Sequence, residues 1–429
     1  MGHSPRLVHT AGALNRIRVR PGPALCGAVR VGGAKNSVLK LMAATLLAEG
    51  SHRLTNVPRI VDVEIMSELL GAMGVCTTRD ADALVIDVPA EIKPEAPYEL
   101  VEKMRASVVV LGPLLARLGR ATVSLPGGDD FGNRPIDFHL RGLEAMGTTF
   151  TSAHGYVGGR AGRLTGARIV LEFPSHTTTD NLLMAATLAK GTTIIENAAR
   201  EPEVSDLAAY LNRMGAQVSG AGTSRIVVEG VESLAPSEHA VVADRVEAAT
   251  FLAAVGMAGG EVLVEGARAE HMDMLLAKLA AMGVRVSATE GGLLVSATGG
   301  IRPVDVATLP YPGVATDYKP LIVTLLSVAD GAAIVTENLY PGRFRYVDEL
   351  RRMGADIRTE GHHAVVSGVA RLSGAQVRAP DIRAGAALVL AGLRAEGETV
   401  VASAQHVDRG YEDLAGKLAS LGADVSRIA

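Results

Sequence analysis

The 429-residue chain has no tryptophan, and phenylalanine and tyrosine together make up only 3% of it. Its core must therefore be built from Ala, Val, Leu, Ile and Met, with 48 glycines available where backbones approach closely. Cysteine is nearly absent too: Cys26 and Cys76 exclude a disulfide framework or a zinc site of ordinary spacing. Both read as small core residues in a reducing compartment. There is no basic excess, since 42 Lys and Arg face 46 Asp and Glu for a formal charge of −4. That argues against a nucleic-acid partner. Apolar runs such as Ser107–Leu118 are shorter than the about 20 residues that span a bilayer. The stretch MGHSPRLVHTAGALN has neither an apolar signal-peptide core nor Ser or Thr at position six for myristoylation. The expectation is a soluble, cytoplasmic protein with no membrane partner. A phosphate-binding P-loop is missing, and the glycines of VRVGGAKNS do not have dinucleotide-fingerprint spacing. Adjacent His362 and His363 read as strand residues pointing to opposite faces, so they cannot share a metal. Neither a metal nor a cofactor is expected.

What is present, above all, is repetition. A Met-Gly or Leu-Gly pair recurs at Met73, Met146, Met214, Met282, Met353 and Leu421, at steps of 73, 68, 68, 71 and 68 residues. Each follows an amphipathic helical pattern and precedes a β-like run. The glycine falls where a helix C-terminus wants positive φ. In phase with it, a largely apolar helix of about 14 residues ends at Gly50, Gly119, Gly191, Gly260, Gly331 and Gly397, and a strand follows. The unit is βαβαββ-like and about 70 residues long, which is too large for an ordinary solenoid repeat. Six copies suggest an α/β protein of two domains, with three units in each.

The starts of the six apolar helices carry Lys35, Arg105, Thr177, Arg245, Asp317 and Arg383. Four of the six are cations, although a helix N-terminus carries partial positive charge and ordinarily attracts Asp, Glu, Ser or Thr. Cations there make sense if something anionic sits in front of them, and together they describe a polyanion site. A second concentration of chemistry lies in LPGGDDFGNRPIDFH, residues Leu125–His139. Its glycines describe a loop that closes over a site, with acid–base groups at and beyond its tip.

Long motifs give these features a family. GAKN (Gly33–Asn36), MRAS (Met104–Ser107), SLPGG (Ser124–Gly128), GNRPIDFH (Gly132–His139) and IIENAAREPE (Ile194–Glu203) occur in one order. DRVEAATF, TDYKP, TEN…GRF, DIRAGAALVLAG and HVDRGYE (His406–Glu412) follow them. Over nearly the whole chain the sequence resembles the enolpyruvyl transferases, and GNRPIDFH is similar to their sugar-nucleotide branch. The resemblance implies the two-domain enolpyruvyl transferase fold, with the active site in the interdomain cleft. Residues 35–243 would form one domain, and 1–34 with 244–429 a second, discontinuous one. The implied reaction moves the 1-carboxyvinyl group of phosphoenolpyruvate to a hydroxyl of UDP-N-acetylglucosamine by addition–elimination, releasing phosphate.

The same resemblance implies the site. Lys35, Arg134 and Arg409 fall on the phosphate side of phosphoenolpyruvate, and Arg343, Arg383 and Arg409 on its carboxylate side, with Arg105 close by. The acceptor would meet Asn36, Arg134, Pro135, Asp137, His139, Ser175, His176, Thr177, Thr316, Asp317 and Leu339. Asp317 would be the base for its hydroxyl, and Lys35 and Arg409 would act in catalysis with Asp129. Asp129 stands where most members have Cys. A carboxylic acid there can protonate C3 of the enol if its pKa is raised, but it lacks the thiolate that fosfomycin alkylates. The usual Ser-Val-Gly-Ala-Thr reads Ser175-His176-Thr177-Thr178-Thr179. Val314-Ala315 and Tyr340-Pro341-Gly342 replace family residues near the sugar. These departures keep open a different uridine nucleotide acceptor, such as uridine monophosphate, and a non-catalytic homologue.

Overall fold

The two glycine series set the backbone of each unit. All twelve residues have positive φ, from 66° at Gly119 to 134° at Gly331, so helix ends and strand starts fall where the repeat predicts. The computed structural model describes residues 15–124, 136–298 and 300–429. Among these, six four-stranded sheets share one pattern. In one unit Glu95–Ala96 lies parallel to Arg120–Ser124, which pairs antiparallel with Tyr156–Arg160, itself antiparallel to Thr149–Ala153. The helices Leu111–Leu118 and Asp137–Ala145 fill the two connections.

The chain does not keep its units separate. Leu25–Arg30 precedes the first unit but pairs with Gly260–Glu265 of the fourth. Arg16–Arg20 completes the last sheet, between Thr399–Ala402 and Asp424–Ile428. The edge strand of the first unit, beside Gly50–Thr55, is Glu238–Ala240 from the end of the third. Two apolar cores result. One runs from Val38 to Val241, and the other combines Ile17–Val31 with Val246–Val425. We refer to the first and second lobes by these cores.

The chain crosses between lobes twice, and the crossings lie side by side. Gly33 bridges to Ala243, the Ala34 amide donates to the Val242 carbonyl at 2.7 Å, and the Asp244 amide to the Gly32 carbonyl at 2.9 Å. Gly33 has to be glycine, because a Cβ there would lie 1.9 Å from the Asn56 carbonyl oxygen. Asp244 joins the helices that leave the crossings. Its Oδ1 accepts from the amides of Val246 and Glu247, capping Arg245–Ala258, and its Oδ2 accepts from the Lys35 amide at 3.2 Å. The Lys35–Ala44 helix has no side-chain cap of its own.

The apolar helices at the lobe centres are buried all round: every residue of Ile382–Gly392 is buried. Four tyrosines join the aliphatic residues there. Tyr210, Tyr318 and Tyr411 are buried with hydroxyl partners in His52, Arg245 and Thr250. Tyr346 is buried as well. Two expectations are corrected. Cys26 and Cys76 are exposed, because each sits on the outward face of a strand, not in the core. His362 lies in the turn before the strand His363–Ser367, so the two imidazoles are neighbours with centroids 4.1 Å apart. Among the described residues no His/Cys/Asp/Glu group could hold a metal, and no helix is long and apolar enough to cross a membrane.

Candidate active site

Residues predicted from distant parts of the sequence meet where the lobes face each other. Lys35 opens its helix in the first lobe, and its Nζ lies 2.8 Å from Asp62 Oδ2. Arg409 of the second lobe reaches the same carboxylate, with Nε 2.9 Å from Oδ1 and Nη2 3.4 Å from Oδ2. Burial alone would raise the pKa of Asp62, but Lys35 and Arg409 together hold it below the ordinary carboxylate range.

A second carboxylate does the same for the other two arginines. Asp317 Oδ1 accepts from Arg343 Nη1 at 2.8 Å and Oδ2 from Arg383 Nε at 3.2 Å. Both guanidiniums are nearly inaccessible, whereas the Asp317 side chain keeps 25% of its surface. The pair outweighs the effect of burial and holds Asp317 well below the usual carboxylate range. Arg383 also stacks over Tyr411, with a centroid distance of 5.2 Å. The two clusters touch through Gly410. A Cβ there would lie 2.6 Å from Ile382 Cγ2, 3.4 Å from Arg383 Nη1 and 3.6 Å from Lys35 Cδ.

Behind Arg343 stands a support that sequence reasoning missed. Glu337, fully buried, accepts from Thr308 Oγ1 (2.7 Å), Thr316 Oγ1 (2.7 Å), Lys319 Nζ (2.9 Å) and the amides of Leu339 (2.8 Å) and Tyr340 (3.1 Å). Lys319 also donates to the Arg343 carbonyl at 2.5 Å, and Arg343 Nη1 donates to Thr316 Oγ1 at 3.1 Å. One carboxylate thus fixes Thr316, Leu339 and the backbone of Arg343. Glu337 lies in the TEN motif and Lys319 in TDYKP; the available signal was a charged residue directly after the strand Ala332–Thr336 and another directly before the apolar helical run that ends at Leu326.

Ser175 caps the helix His176–Ala186, accepting from the Thr178 amide at 3.4 Å, and Thr177 is half-buried beside it. His176 Nε2 is 3.4 Å from Asp180 Oδ2, and Lys40 Nζ is 3.8 Å from the same oxygen. Burial, then Lys40, lowers the His176 pKa to about 3, and Glu203, Arg245 and Asp317 also act on it, so charges of both lobes reach this neutral imidazole. Burial pushes Asp180 up to about 8. Asn36 and Asp137 lie half-buried near the starts of their helices, and Asp137 pairs with Arg141 at 3.4 Å. His139 is turned inward: it is 3% exposed, and its Nδ1 lies 3.0 Å from Asn181 Nδ2. Arg105 opens the 3-10 turn Arg105–Val110. Asp129, Arg134 and Pro135, with most of the glycine-rich loop, lie outside the described residues. Of the helix-start cations, Arg245 is paired across the lobes, with Nε 3.0 Å from Glu203 Oε1 and Nη1 3.1 Å from the Tyr318 hydroxyl.

Comparison with known proteins identifies the family. The family profile of EPSP synthase (3-phosphoshikimate 1-carboxyvinyltransferase) matches residues 19–418. UDP-N-acetylglucosamine 1-carboxyvinyltransferase of Anaeromyxobacter sp. (strain Fw109-5) is 52% identical over 419 residues, covering 96% of this chain and 99% of the relative. Its namesake from Mycobacterium tuberculosis is 50% identical over 413 residues, covering 96% and 99%. Among solved structures, the enolpyruvyl transferase NikO from Streptomyces tendae superposes with a TM-score of 0.87 at 28% identity, covering 96% and 99%. EPSP synthase from Acinetobacter baumannii, 20% identical with a TM-score of 0.72 over 96% and 100%, shares the fold. The chain belongs to the enolpyruvyl transferases, enzymes that transfer a carboxyvinyl group.

Proposed function

We propose that this enzyme transfers the 1-carboxyvinyl group of phosphoenolpyruvate to a hydroxyl of UDP-N-acetylglucosamine in the cytoplasm, as a step of peptidoglycan synthesis. The observation that carries the reading is the arrangement of two adjoining cation pairs, Lys35 with Arg409 and Arg343 with Arg383, each on one buried aspartate. Phosphoenolpyruvate is a small molecule with two anionic ends, and two adjoining cation pairs match it. Relatives about 50% identical along nearly their full length carry the matching name.

In this reading Lys35 and Arg409 receive the phosphate, and Arg343 and Arg383 the carboxylate. Binding of that carboxylate takes the two guanidiniums from Asp317. The freed carboxylate regains basicity and removes the proton of the acceptor hydroxyl as its oxygen adds to C2. Asp129 supplies the proton at C3; phosphate then leaves C2 toward Lys35 and Arg409, which stabilise the developing charge, while the Asp129 carboxylate takes a proton back from the C3 methyl to restore the double bond. A second reading, a different uridine nucleotide as acceptor, is favoured by His176. A neutral, half-buried imidazole occupies the first turn of a helix where the family has small residues. Phosphate release from phosphoenolpyruvate, measured with UDP-N-acetylglucosamine, UDP and uridine monophosphate in turn, tests both. Release with the sugar nucleotide alone supports the first reading, release with the monophosphate supports the second, and release with none refutes both.

A further inference from the structure

Asp62 belongs to none of the residues that the chemistry calls for, yet its carboxylate is shared between cations of both lobes. It sits in the first turn of the helix Val61–Ala72 in the first lobe and is 1% exposed. Its two oxygens divide between Lys35 of its own lobe at 2.8 Å and Arg409 of the other at 2.9 Å. The cations keep 12% and 15% of their side-chain surface against 1% for Asp62, so what remains accessible of the cluster belongs to the cations. The seam continues on either side. The Arg59 amide donates to Glu412 Oε2 at 2.9 Å, and Gly410 leaves room only for hydrogen between Arg383, Ile382 and Lys35. Two like charges brought this close repel unless an anion lies between them. Before substrate arrives, that anion is the Asp62 carboxylate.

We propose that Asp62 is a positioning residue that draws Arg409 of the second lobe onto Lys35 of the first and so completes the phosphate end of the site. The proposal rests on the assignment of Lys35 and Arg409 to phosphate. Without the Asp62 charge, Arg409 is no longer held beside Lys35, and phosphoenolpyruvate meets half a phosphate site. The effect belongs to one substrate: the acceptor side, around His176 and Thr316, does not touch Asp62.

The test is a set of steady-state measurements on the full-length enzyme. Asp62→Asn, which conserves volume, is expected to lower kcat/KM for phosphoenolpyruvate about 100-fold, the scale of a lost positioning contact, with the KM for the nucleotide unchanged. In the Asp62→Asn background, Arg409→Gln should cost less than about 3-fold more, although in wild type it costs as much as Asp62→Asn, because residues that act as one unit are non-additive. Full additivity, or an equal rise in both KM values, overturns the proposal. Lys35→Gln separates it from the reading beneath it. If that variant leaves inhibition by orthophosphate unchanged, the phosphate assignment itself fails. If it weakens inhibition while the Asp62/Arg409 pair is additive, only the role of Asp62 fails. Should Asp62→Asn not fold, Arg409→Lys carries the test: it keeps the charge but loses the paired Nε and Nη2 contact. The same selective loss is expected there, and wild-type kcat/KM would overturn the proposal.

Discussion

Replacing Asp317 by Asn separates two roles that one carboxylate holds at different stages. In the free enzyme Asp317 is the counter-ion of Arg343 and Arg383, through bonds of 2.8 and 3.2 Å. In the proposed reaction it is the base. A carboxylate held well below its usual pKa by two guanidiniums is a poor base, so the second role requires that substrate end the first. Each charge-assisted hydrogen bond contributes about 1.5–3 kcal/mol. The incoming carboxylate must compete with two of them, and the partial exposure of Asp317 screens them somewhat. Removing the charge should therefore tighten phosphoenolpyruvate binding by up to about 2 kcal/mol, roughly 30-fold. Turnover should fall about 10²–10⁴-fold, the usual loss for a missing general base. Titration calorimetry with phosphoenolpyruvate and single-turnover phosphate release read the two effects separately. A pH profile adds a third. With its folded pKa depressed, Asp317 stays ionised down to pH values below the ordinary carboxylate range, so an acid limb of kcat/KM between about pH 5 and 8 must come from another group. Weaker phosphoenolpyruvate binding together with near-normal turnover in Asp317→Asn would refute the reasoning.

Glu337→Gln should destabilise the protein by about 3–5 kcal/mol in denaturant unfolding, because Lys319 is left charged in a fully buried place without its counter-ion. Asp180 has a folded pKa raised to about 8, so its contribution to stability is full below the unfolded value and is lost as the pH rises through about 8. Asp180→Asn, neutral throughout, should raise Tm by more at about pH 9 than at about pH 5, and equal shifts at both would count against a raised pKa. The wild-type enzyme should resist fosfomycin and Asp129→Cys should acquire time-dependent inactivation, with the adduct read by mass spectrometry. Covalent labelling of the wild type would argue against the loop-tip assignment.

The repeat was legible because it rests on backbone geometry that glycine supplies and few other residues tolerate. Two phased glycine series marked helix ends and strand starts in all six units, and all twelve residues take positive φ. Strand exchange between units was not legible from spacing. Leu25–Arg30 reads locally as the first strand of the first unit, yet it pairs with Gly260–Glu265, and no local pattern records a partner 235 residues away. Only the family resemblance pointed to a discontinuous second domain. The outward positions of Cys26 and Cys76 were missed for a related reason. Apolar neighbours suggested burial, whereas a strand places alternate residues on opposite faces. The pairing of His362 with His363 was missed because the turn ends one residue later than strand periodicity implied.

The cations at the helix starts show where sequence reasoning was right in its physics and incomplete in its account. A cation at a helix N-terminus does need an anion in front of it, and the sequence by itself points only to substrate as that anion. The structure supplies protein anions first: Asp62 for Lys35 and Arg409, Glu203 for Arg245, and Asp317 for Arg343 and Arg383. Arg409 and Arg245 lie in the other lobe from their partners and Arg383 in another unit, while Lys35 and Arg343 share a unit with theirs but stand 27 and 26 residues away, so no helical or strand spacing connects any of them. The consequence for binding follows directly. A site whose cations were bare would gain the full attraction of a dianion and hold product phosphate as tightly as substrate. A site that exchanges internal ion pairs for substrate ion pairs gains only the difference. Binding energy is then small where charge is merely replaced and large where charge develops during the reaction, which is the condition for favouring the transition state over either bound ground state.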